Sequence, residues 1–411
     1  MSGIKLNAAQ IAAKKLGVVR RETSFTMDES DHLLEKCRKA YRECFEKEPH
    51  PLIVQAIKHQ SNQCLNVAGN VTTFSGEHLG DKDMLVMYKI LKDQYLFVSV
   101  NLSYNNITDE GSHSVAQLIK SSSSLICLNL MCNDIGPKGG ELIAAALQTN
   151  STLESLNMNG NKIGRNGVLM FARALQFNIG LKELNVGHTD MNIDSMIAMA
   201  TVLCFSNCTL LRINLNRPLL KNMEEEIISG HISHLLKMNP VLIELHLQQL
   251  GMEDYGATII SESLRNNTIL THLDLSCNRI GEDGMNMLAD AMAVSGTTEL
   301  LNIGYNRIGN TGAVYLADLL KVNTSLKTLI IVSNNIGVNG IITIIEVLIN
   351  VNKSLTSLFI WGNDVQPSAG EAVHRLLEEK RLSEDCIDVK PYNIEGIYHL
   401  GRQFLFRQKQ Q

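Results

Sequence analysis

The sequence lacks any apolar run that approaches the ~18 residues needed to cross a bilayer. Its opening stretch, MSGIKLNAAQIAAKKLG, also lacks the apolar core of a secretion signal. We therefore expect a protein that is neither secreted nor membrane-spanning. An excess of one charge is missing as well, because a formal net charge of −5 gives no general attraction to nucleic acid or to an anionic membrane. The nine cysteines are odd in number and unclustered, which suits reduced thiols in the cytosol or nucleus.

Motifs for catalysis or metal binding are missing too. Cys204 and Cys208 have no second pair at zinc spacing, and His231 and His234 do not form an HEXXH motif. Glycine-rich stretches such as IGPKGG lack the lysine and the Ser or Thr of a phosphate-binding loop. The sequence thus predicts a protein that is not an enzyme and that has no cofactor, metal site or small-molecule substrate.

What the sequence does contain is a repeat of about 28 residues. Each copy has apolar residues at i, i+3, i+5 and i+10 and usually an Asn at i+8. Ten copies are clear, with the i+8 residues Asn105, Asn133, Asn161, Thr189, Pro218, Leu250, Asn278, Asn306, Asn334 and Asn363, and a degenerate eleventh contains Leu65, Val67 and Asn70. Because strand ends leave backbone groups that need partners, we interpret the i+8 Asn as a structural hydrogen-bonding residue.

The second half of each copy predicts a helix. A glycine such as Gly284 follows the i+8 position by six residues, and residues at helical spacing follow it, as in Leu288, Ala289 and Met292. An Asn such as Asn323 precedes the next copy by three residues, where we expect a left-handed backbone at the helix end. Stacked units would bury both apolar faces. Since helices need more room than strands, the stack should bend into a horseshoe with a parallel concave sheet and convex helices.

The unit LxxLxLxxNxIGxxGxxxLAxxL resembles the long repeat of leucine-rich repeat proteins of the ribonuclease-inhibitor type, over roughly residues 60–378. The resemblance implies an α/β fold, a leucine-rich repeat solenoid. We expect a helical N-terminal cap over residues 1–60, repeats over 61–378, and a C-terminal tail or cap over 379–411. The resemblance also implies a cytoplasmic or nuclear protein, or both, and is compatible with the nucleolus or a ciliary axoneme.

The alternation of each strand predicts which side chains face the hollow of the sheet. At i+4 we expect a polar column on this face, made of Asn101, Asn129, Asn157, Asn185, Asn214, His246, Asp274 and Asn302. One interpretation is a recognition strip for a partner. The other is a solvated face whose side chains hydrogen-bond to their neighbours.

The predicted column ends in apolar residues. Ile330, Val332, Phe359 and Trp361, with Tyr305 nearby, fall at outward positions, and an exposed apolar patch is typical of an interaction site. The alternative is that the C-terminal tail, which includes Phe404 and Phe406, folds over this patch. Either interpretation requires Leu329 and Leu358 to be buried.

The copies between residues 189 and 250 depart from the pattern. Ser195 and Glu224 stand where the other copies have the glycine, and the spacing stretches to 32 residues. The acidic run Glu224, Glu225 and Glu226 either contacts a basic partner or forms a solvated helix start, where acids favour the helix dipole.

The leading functional hypothesis is a non-enzymatic scaffold or adaptor that binds protein partners on the concave face, without contact to a membrane or direct contact to nucleic acid. The resemblance implies two alternatives. One is a GTPase-activating protein similar to the leucine-rich repeat activator of the Ran system, with Arg165, Arg279 and Arg307 as candidate loop residues. The other is a ribonuclease inhibitor, which would be expected to carry an acidic, cysteine-rich concave face.

Overall fold

The computed structural model describes residues 27–59, 63–70, 77–221, 223–364 and 367–403. The predicted tail residues Phe404 and Phe406 lie outside the described residues. The chain forms two compact units, Met1–Asn214 and Leu215–Gln411.

Strands and helices alternate in the first unit. In chain order its described elements are α1 (Met27–Phe45), α2 (Pro51–Lys58), β1 (Cys64–Asn66), α3 (Asp81–Leu91), β2 (Ser99–Asn101), α4 (Asp109–Ser121), β3 (Cys127–Asn129), α5 (Pro137–Leu147), β4 (Ser155–Asn157), α6 (Gly164–Leu175), β5 (Glu183–Asn185), α7 (Ile193–Phe205) and β6 (Arg212–Asn214). The strands pair in parallel and in chain order from β1 to β6, each residue opposite its equivalent in the next repeat.

The second unit has the same alternation. Its described elements are α8 (Glu224–Met238), β7 (Glu244–His246), α9 (Asp254–Leu264), β8 (His272–Asp274), α10 (Glu282–Ser295), β9 (Leu300–Asn302), α11 (Gly309–Val322), β10 (Thr328–Ile330), α12 (Val338–Asn350), β11 (Ser357–Phe359), α13 (Pro367–Glu378), a 3-10 turn (Glu384–Cys386), β12 (Val389–Ile394) and β13 (Ile397–Arg402). Strands β7 to β11 pair in parallel in chain order, whereas β12 and β13 form an antiparallel hairpin.

The burial of strand residues follows the predicted phase. The central residues Leu329 and Leu358 have no exposed surface, while Ile330 and Trp361 are partly exposed. The predicted alternation of a short strand and a helix, repeated along the chain, is therefore confirmed in each unit. None of the helices that the structure describes is long and apolar enough to cross a bilayer.

The i+8 Asn joins successive repeats, as predicted. Asn133 is buried, and its Nδ2 donates to the carbonyl of Leu130 in its own repeat and to that of Leu102 in the preceding one, at 2.8 and 2.9 Å. Its Oδ1 accepts from the backbone N–H of Ile107 at 3.2 Å. One buried amide thus satisfies three backbone groups that the strand ends leave open.

The Asn at the helix end does not adopt the left-handed backbone that the sequence predicted. Asn239 and Asn323 have φ angles of −76° and −80°, which every L-residue adopts. The residue is needed for its side chain instead: Asn178 Nδ2 donates to the carbonyls of Leu147 and Asn150 in the preceding repeat, both at 2.7 Å. A hydrogen bond between repeats, not a left-handed backbone, explains why Asn recurs at the helix end.

A third connection, which the sequence analysis missed, joins the helix N-termini. Asp109 Oδ1 accepts from the backbone N–H groups of Gly136 and Gly139 of the next repeat, at 2.7 and 2.8 Å. Asp254 does the same for Gly281 and Gly284, at 2.6 and 3.1 Å. Each carboxylate supplies partners to N–H groups that a helix start leaves open.

The helices before β1 pack on the first repeats. Leu33, Leu34 and Cys37 of α1 are buried, and Tyr41 Oη donates to Asp83 Oδ1 of α3. Burial, together with the bond to Asp83, raises the pKa of Tyr41. The assignment of residues 1–60 as a cap stays a prediction, to which these contacts give a physical basis.

Candidate partner-binding surface

The candidate surface is the strand face. It consists of the first and third side chains of each three-residue strand, which flank the buried central residue. It also includes the side chains just after the strand that continue this alternation and point to the same side. In the first unit this face carries the predicted column of asparagines at the last position of each strand, Asn101, Asn129, Asn157, Asn185 and Asn214, all of them partly exposed. The strand register places these five residues in one row.

Local hydrogen bonds fix the orientation of these amides. The Oδ1 atoms of Asn129 and Asn157 each accept the backbone N–H two residues further on, at 3.0 Å. A bond of this kind uses the oxygen of the side-chain amide and not its Nδ2 donor. Lateral bonds occur as well, since Asn101 Nδ2 donates to Asn66 Oδ1 at 2.9 Å. The row can thus donate hydrogen bonds without carrying a charge.

Two buried cysteines lie beside this row. Cys64 and Cys127 flank Ser99 in the strand register, and all three side chains are buried. Burial, helped by the nearby carboxylate of Glu183, raises the pKa of Cys127 to about 12. A thiol that stays protonated is a poor nucleophile, so Cys127 is packed as an apolar side chain.

In the second unit, the strand face begins with an ionic cluster. His246 Nε2 lies 2.9 Å from Glu244 Oε1, and His246 Nδ1 lies 3.5 Å from Asp274 Oδ2. Burial opposes the charged imidazole, but the hydrogen bonds to Asp274 and Glu244 outweigh it and raise the pKa of His246 to about 9. At neutral pH His246 is therefore an imidazolium that lies between Asp274 and Glu244.

Asp274 is the centre of this cluster. Its carboxylate is buried and accepts from Gln248 Nε2 at 2.6 Å, from Asn302 Nδ2 at 3.0 Å and from the Ser276 backbone N–H at 2.9 Å. Although burial opposes ionisation, the hydrogen bond and charge of His246, helped by the hydrogen bonds from Ser276, hold the pKa of Asp274 below its usual value. His246 and Asp274 were predicted from the sequence, but Glu244 and Gln248 were not. Both lie two positions from His246 along the chain and share its face.

The other end of this face is apolar. Tyr305 is 56% exposed, Ile330, Val332 and Trp361 are partly exposed, and Phe359 is 9% exposed. These five residues belong to three successive repeats at β9, β10 and β11. The structure thus brings the predicted apolar group together and leaves most of it accessible.

Residues after the last helix extend the repeat frame beside Phe359. Ile387 pairs in parallel with Leu358, and Asp388 Oδ1 accepts from the backbone N–H groups of Ile360 and Trp361, at 2.8 and 3.3 Å. Burial raises the pKa of Asp388. A signal for this pairing was present in the sequence, because Ile387 follows Leu358 by the same interval of 29 residues that separates Leu358 from Leu329.

The hairpin that follows lies against both the last helix and the apolar end. His374 of α13 stacks on Tyr398 of β13 with ring centroids 4.0 Å apart. At the end of β13, the Arg402 guanidinium lies 6.0 Å from the centroid of the Trp361 ring. A cation over an aromatic face is favourable, so Arg402 holds one side of Trp361.

In the irregular stretch, the acidic run has two different roles. Helix α8 begins at Glu224, whose carboxylate accepts from the backbone N–H of Lys221 at 2.8 Å. Glu225 lies against Gly256 instead, and its Oε2 is buried without a hydrogen-bond partner among the described residues. Burial, with repulsion from Glu226 and Glu253, raises the pKa of Glu225 to about 7.

We expect Glu225 to make the chain less stable as the pH rises. Its pKa is higher in the folded state, at about 7, than its ordinary value of 4.5, so folding takes up a proton between these values and stability falls as the pH rises through this window. Because the group is only partly buried, Glu225→Gln should raise the free energy of unfolding at pH 8 by about 1 kcal/mol. Urea titrations at pH 5 and pH 8 measure the difference.

Glu262→Gln is the matched control for this prediction, because Glu262 is exposed on α9. An equal gain in stability from Glu225→Gln at both pH values would contradict the assignment of the raised pKa to Glu225. A gain confined to the higher pH supports it.

Two candidate loop arginines of the GTPase-activating alternative, Arg165 and Arg279, are engaged in ion pairs. Arg165 Nε lies 2.9 Å from Asp194 Oδ2, and Arg279 lies 3.4 Å from Glu253. Both pairs are exposed and join successive repeats, as ordinary surface residues do. Among the residues that the structure describes, no group of His, Cys, Asp and Glu has an arrangement that could hold a metal ion.

Comparison with known proteins decides the nature of the repeats. A family described as Leucine Rich repeat matches six segments, residues 97–112, 121–144, 149–172, 266–289, 299–317 and 322–344. The chain contains leucine-rich repeats in these six segments. The matched segments cover strands and helices in both units, and the predicted fold class, α/β with leucine-rich repeats, is confirmed.

Two curated relatives resemble parts of the chain. Leucine-rich repeat-containing protein 34 of Mus musculus is 59% identical over 192 residues, which cover 47% of this chain and 46% of the mouse protein. The protein of the same name from Rattus norvegicus is 52% identical over 44 residues, which cover 11% of this chain and 10% of the rat protein. The chain thus spans less than half the length of the curated relatives it matches.

Among solved structures, an internalin from Listeria monocytogenes is 16% identical with a TM-score of 0.40. The match covers 85% of this chain and 93% of that structure. At this identity and TM-score the likeness does not bear on what the leucine-rich repeats bind.

Proposed function

We propose that the chain is a non-enzymatic scaffold whose strand face binds a protein partner. Leucine-rich repeats are a scaffold typical of protein binding, and the observation that supports the proposal most is the apolar end of the second-unit strand face. Tyr305, Ile330, Val332 and Trp361 are accessible there in three successive repeats, and a monomeric protein seldom exposes contiguous apolar groups without a partner.

The surface combines an apolar centre with neighbouring polar groups, as protein interfaces do. An aromatic and aliphatic centre, with Trp361 and Tyr305, lies beside polar groups that fix orientation, since Asn302 is two strands from β11 and Asp274 is three strands from it. Tryptophan and tyrosine are the side chains that contribute most to binding in such centres. The asparagine row of the first unit is a second candidate contact, suited to a partner with hydrogen-bond acceptors.

The proposal predicts that Trp361→Asp and Ile330→Asp abolish partner capture. Each change places a charge in the apolar end, and the loss of one such anchor costs about 2 kcal/mol or more, roughly 30-fold in Kd. Proteins that co-purify with the tagged chain from native tissue are quantified by mass spectrometry. The measured result is the set of proteins that the wild-type chain retains and that both variants lose.

Tyr255→Asp is the matched control, because Tyr255 is 61% exposed on α9 and lies off the strand face. Two variants are used because Trp361→Asp brings a second carboxylate close to Asp388, so that a folding defect of this variant alone would not decide the test. Urea unfolding checks that each variant is folded. If both variants retain the partners that the control retains, the apolar end is not the interface.

A further inference from the structure

Helices α1 and α3 bring a thiol and an amine into direct contact. Cys44 lies in the last turn of α1 and Lys89 in the last turn of α3, and Lys89 Nζ donates to Cys44 Sγ at 2.8 Å. Both residues are partly exposed, which leaves the pair open to small solutes. The pair lies outside the strand face, and the proposed function does not use it.

Packing of the two helices holds this pair together. Tyr41, one turn before Cys44, donates from its Oη to Asp83 Oδ1 of α3. Phe45, directly after Cys44, has the Lys82 ammonium of α3 at 5.8 Å from its ring centroid. Because these contacts lie on both sides of Cys44 along α1, the contact between the lysine amine and the sulfur follows from the helix packing.

The other surroundings of Cys44 oppose a thiolate. Helix α1 ends at Phe45, where unpaired carbonyls disfavour an anion, and the carboxylate of Glu43 belongs to the preceding residue. Lys89 supplies the opposite charge in contact with the sulfur, and its hydrogen bond to Cys44 raises the pKa of Lys89. An ammonium beside a thiol favours the thiolate, which is the form that peroxides oxidise.

Cys37 is the contrasting thiol on the same helix. It lies two turns before Cys44 and has no exposed surface, and burial raises the pKa of Cys37 to about 12. A thiol that stays protonated and enclosed is not oxidised readily. Of these two α1 cysteines, only Cys44 is both partly exposed and in contact with a lysine amine.

We propose that Cys44 and Lys89 form a covalent crosslink when the chain meets a hydroperoxide. In the first step the Cys44 thiolate attacks hydrogen peroxide and the O–O bond breaks, so that the sulfur becomes a sulfenic acid and the second oxygen leaves as hydroxide. This hydroxide takes a proton from the Lys89 ammonium. In the second step the Lys89 nitrogen attacks the sulfur, an S–N bond forms, and the S–O bond breaks, and the hydroxyl leaves as water with a second proton from nitrogen. The product is a sulfenamide, whose sulfur has lost two electrons to the peroxide.

The crosslink fastens α1 to α3. Its two ends are 45 residues apart in the sequence, and closing a loop of this length stabilises the folded state by restricting the unfolded chain. Thiols reverse the oxidation of a cysteine at this level. The pair is therefore a reversible, oxidation-dependent attachment of the N-terminal helices to the first repeats.

Mass spectrometry of the full chain tests the proposal. The chain is treated with hydrogen peroxide or with a thiol reductant, digested under non-reducing conditions, and searched for the joined peptides that contain Cys44 and Lys89. We expect a pair about 2 Da lighter than the sum of its peptides, because two hydrogen atoms are lost, and we expect it to disappear after reduction. Peptides that contain Cys37 are the internal reference and should stay unmodified.

Two variants of Lys89 separate charge from bond formation. Lys89→Arg keeps a cation beside the sulfur but has no amine that can condense, since the guanidinium stays protonated. It should abolish the crosslink, and a dimedone probe should then label Cys44 sulfenic acid about two-fold more than in the wild-type chain. Lys89→Met removes the cation and should slow the oxidation of Cys44 about five-fold. Lys92→Arg, at an exposed lysine at the end of α3, is the matched control and should keep the crosslink.

Each outcome bears on one part of the proposal. Peroxide treatment that takes Cys44 to a sulfinic acid without the joined peptides overturns the proposal, and joined peptides in Lys89→Arg overturn the assignment to Lys89. A joined pair about 14 Da heavier than the sum contains an oxygen bridge, which supports the crosslink and overturns the condensation step. Urea unfolding in reductant checks that the variants fold as the wild-type chain does. Peroxide should raise the urea midpoint of the wild-type chain but not that of Cys44→Ser.

Discussion

Replacing Asp274 by alanine is expected to lower the free energy of unfolding by about 2–4 kcal/mol. The change leaves the amides of Gln248 and Asn302 and the Ser276 N–H without their acceptor, and it leaves the His246 imidazolium with Glu244 alone. Breaking a buried charged network costs more than the network contributes when intact, because the remaining partners stay buried and unpaired. Urea or thermal unfolding of the full chain measures the loss.

The isosteric variant Asp274→Asn separates charge from packing. The pKa of His246 is about 9 with Asp274 ionised and should fall toward its ordinary value in this variant. Because the raised pKa belongs to the folded state, its stabilisation is fully present below about pH 6.5 and is lost as the pH rises through 9. The wild-type chain should therefore lose stability between pH 7 and pH 10, and Asp274→Asn should flatten that dependence. A His246 ring resonance that titrates near pH 6.5 in the wild-type chain would contradict this account.

Much of the fold was predictable because the repeat is periodic. The spacing of Leu125, Leu128, Leu130 and Asn133 recurs often enough to specify strand, loop and helix, and the burial of each strand follows it. The periodicity does not show which side chain of one repeat bonds to the backbone of the next repeat. The bond from Asp109 to the next helix start is of this kind, since an acidic first turn is also explained by the helix dipole within one repeat.

The candidate surface was predictable in position and less so in chemistry. Alternation placed His246 and Asp274 on one face, but the charge of His246 depends on Glu244 and on burial, which only the packed structure supplies. The irregular copies show the same limit. Glu224 and Glu225 are chemically identical neighbours, yet one accepts a hydrogen bond at its own helix start and the other is buried against Gly256.

Asn161→Leu is expected to lower the free energy of unfolding by about 3–5 kcal/mol. Asn161 has no exposed surface, and its amide bonds the carbonyls of Leu130 and Met158, at 2.8 and 2.9 Å, and the N–H of Ile135, at 3.2 Å. Leucine fills a similar volume, so the loss reports three hydrogen bonds and not a cavity: the buried Ile135 N–H loses its acceptor, while the Leu130 and Met158 carbonyls each lose one of two donors.

The chain itself supplies the intermediate variant. At the equivalent position the next repeat has Thr189, also fully buried, whose hydroxyl donates to the carbonyl of Val186 at 2.6 Å. Asn161→Thr should therefore restore one of the three bonds and recover about 1 kcal/mol relative to Asn161→Leu. The control Asn166→Leu, at an exposed position of α6, should change stability by less than about 0.5 kcal/mol. Urea titration of the three variants orders them, and equal losses for Asn161→Leu and Asn166→Leu would show that the i+8 asparagines do not stabilise the stack of repeats.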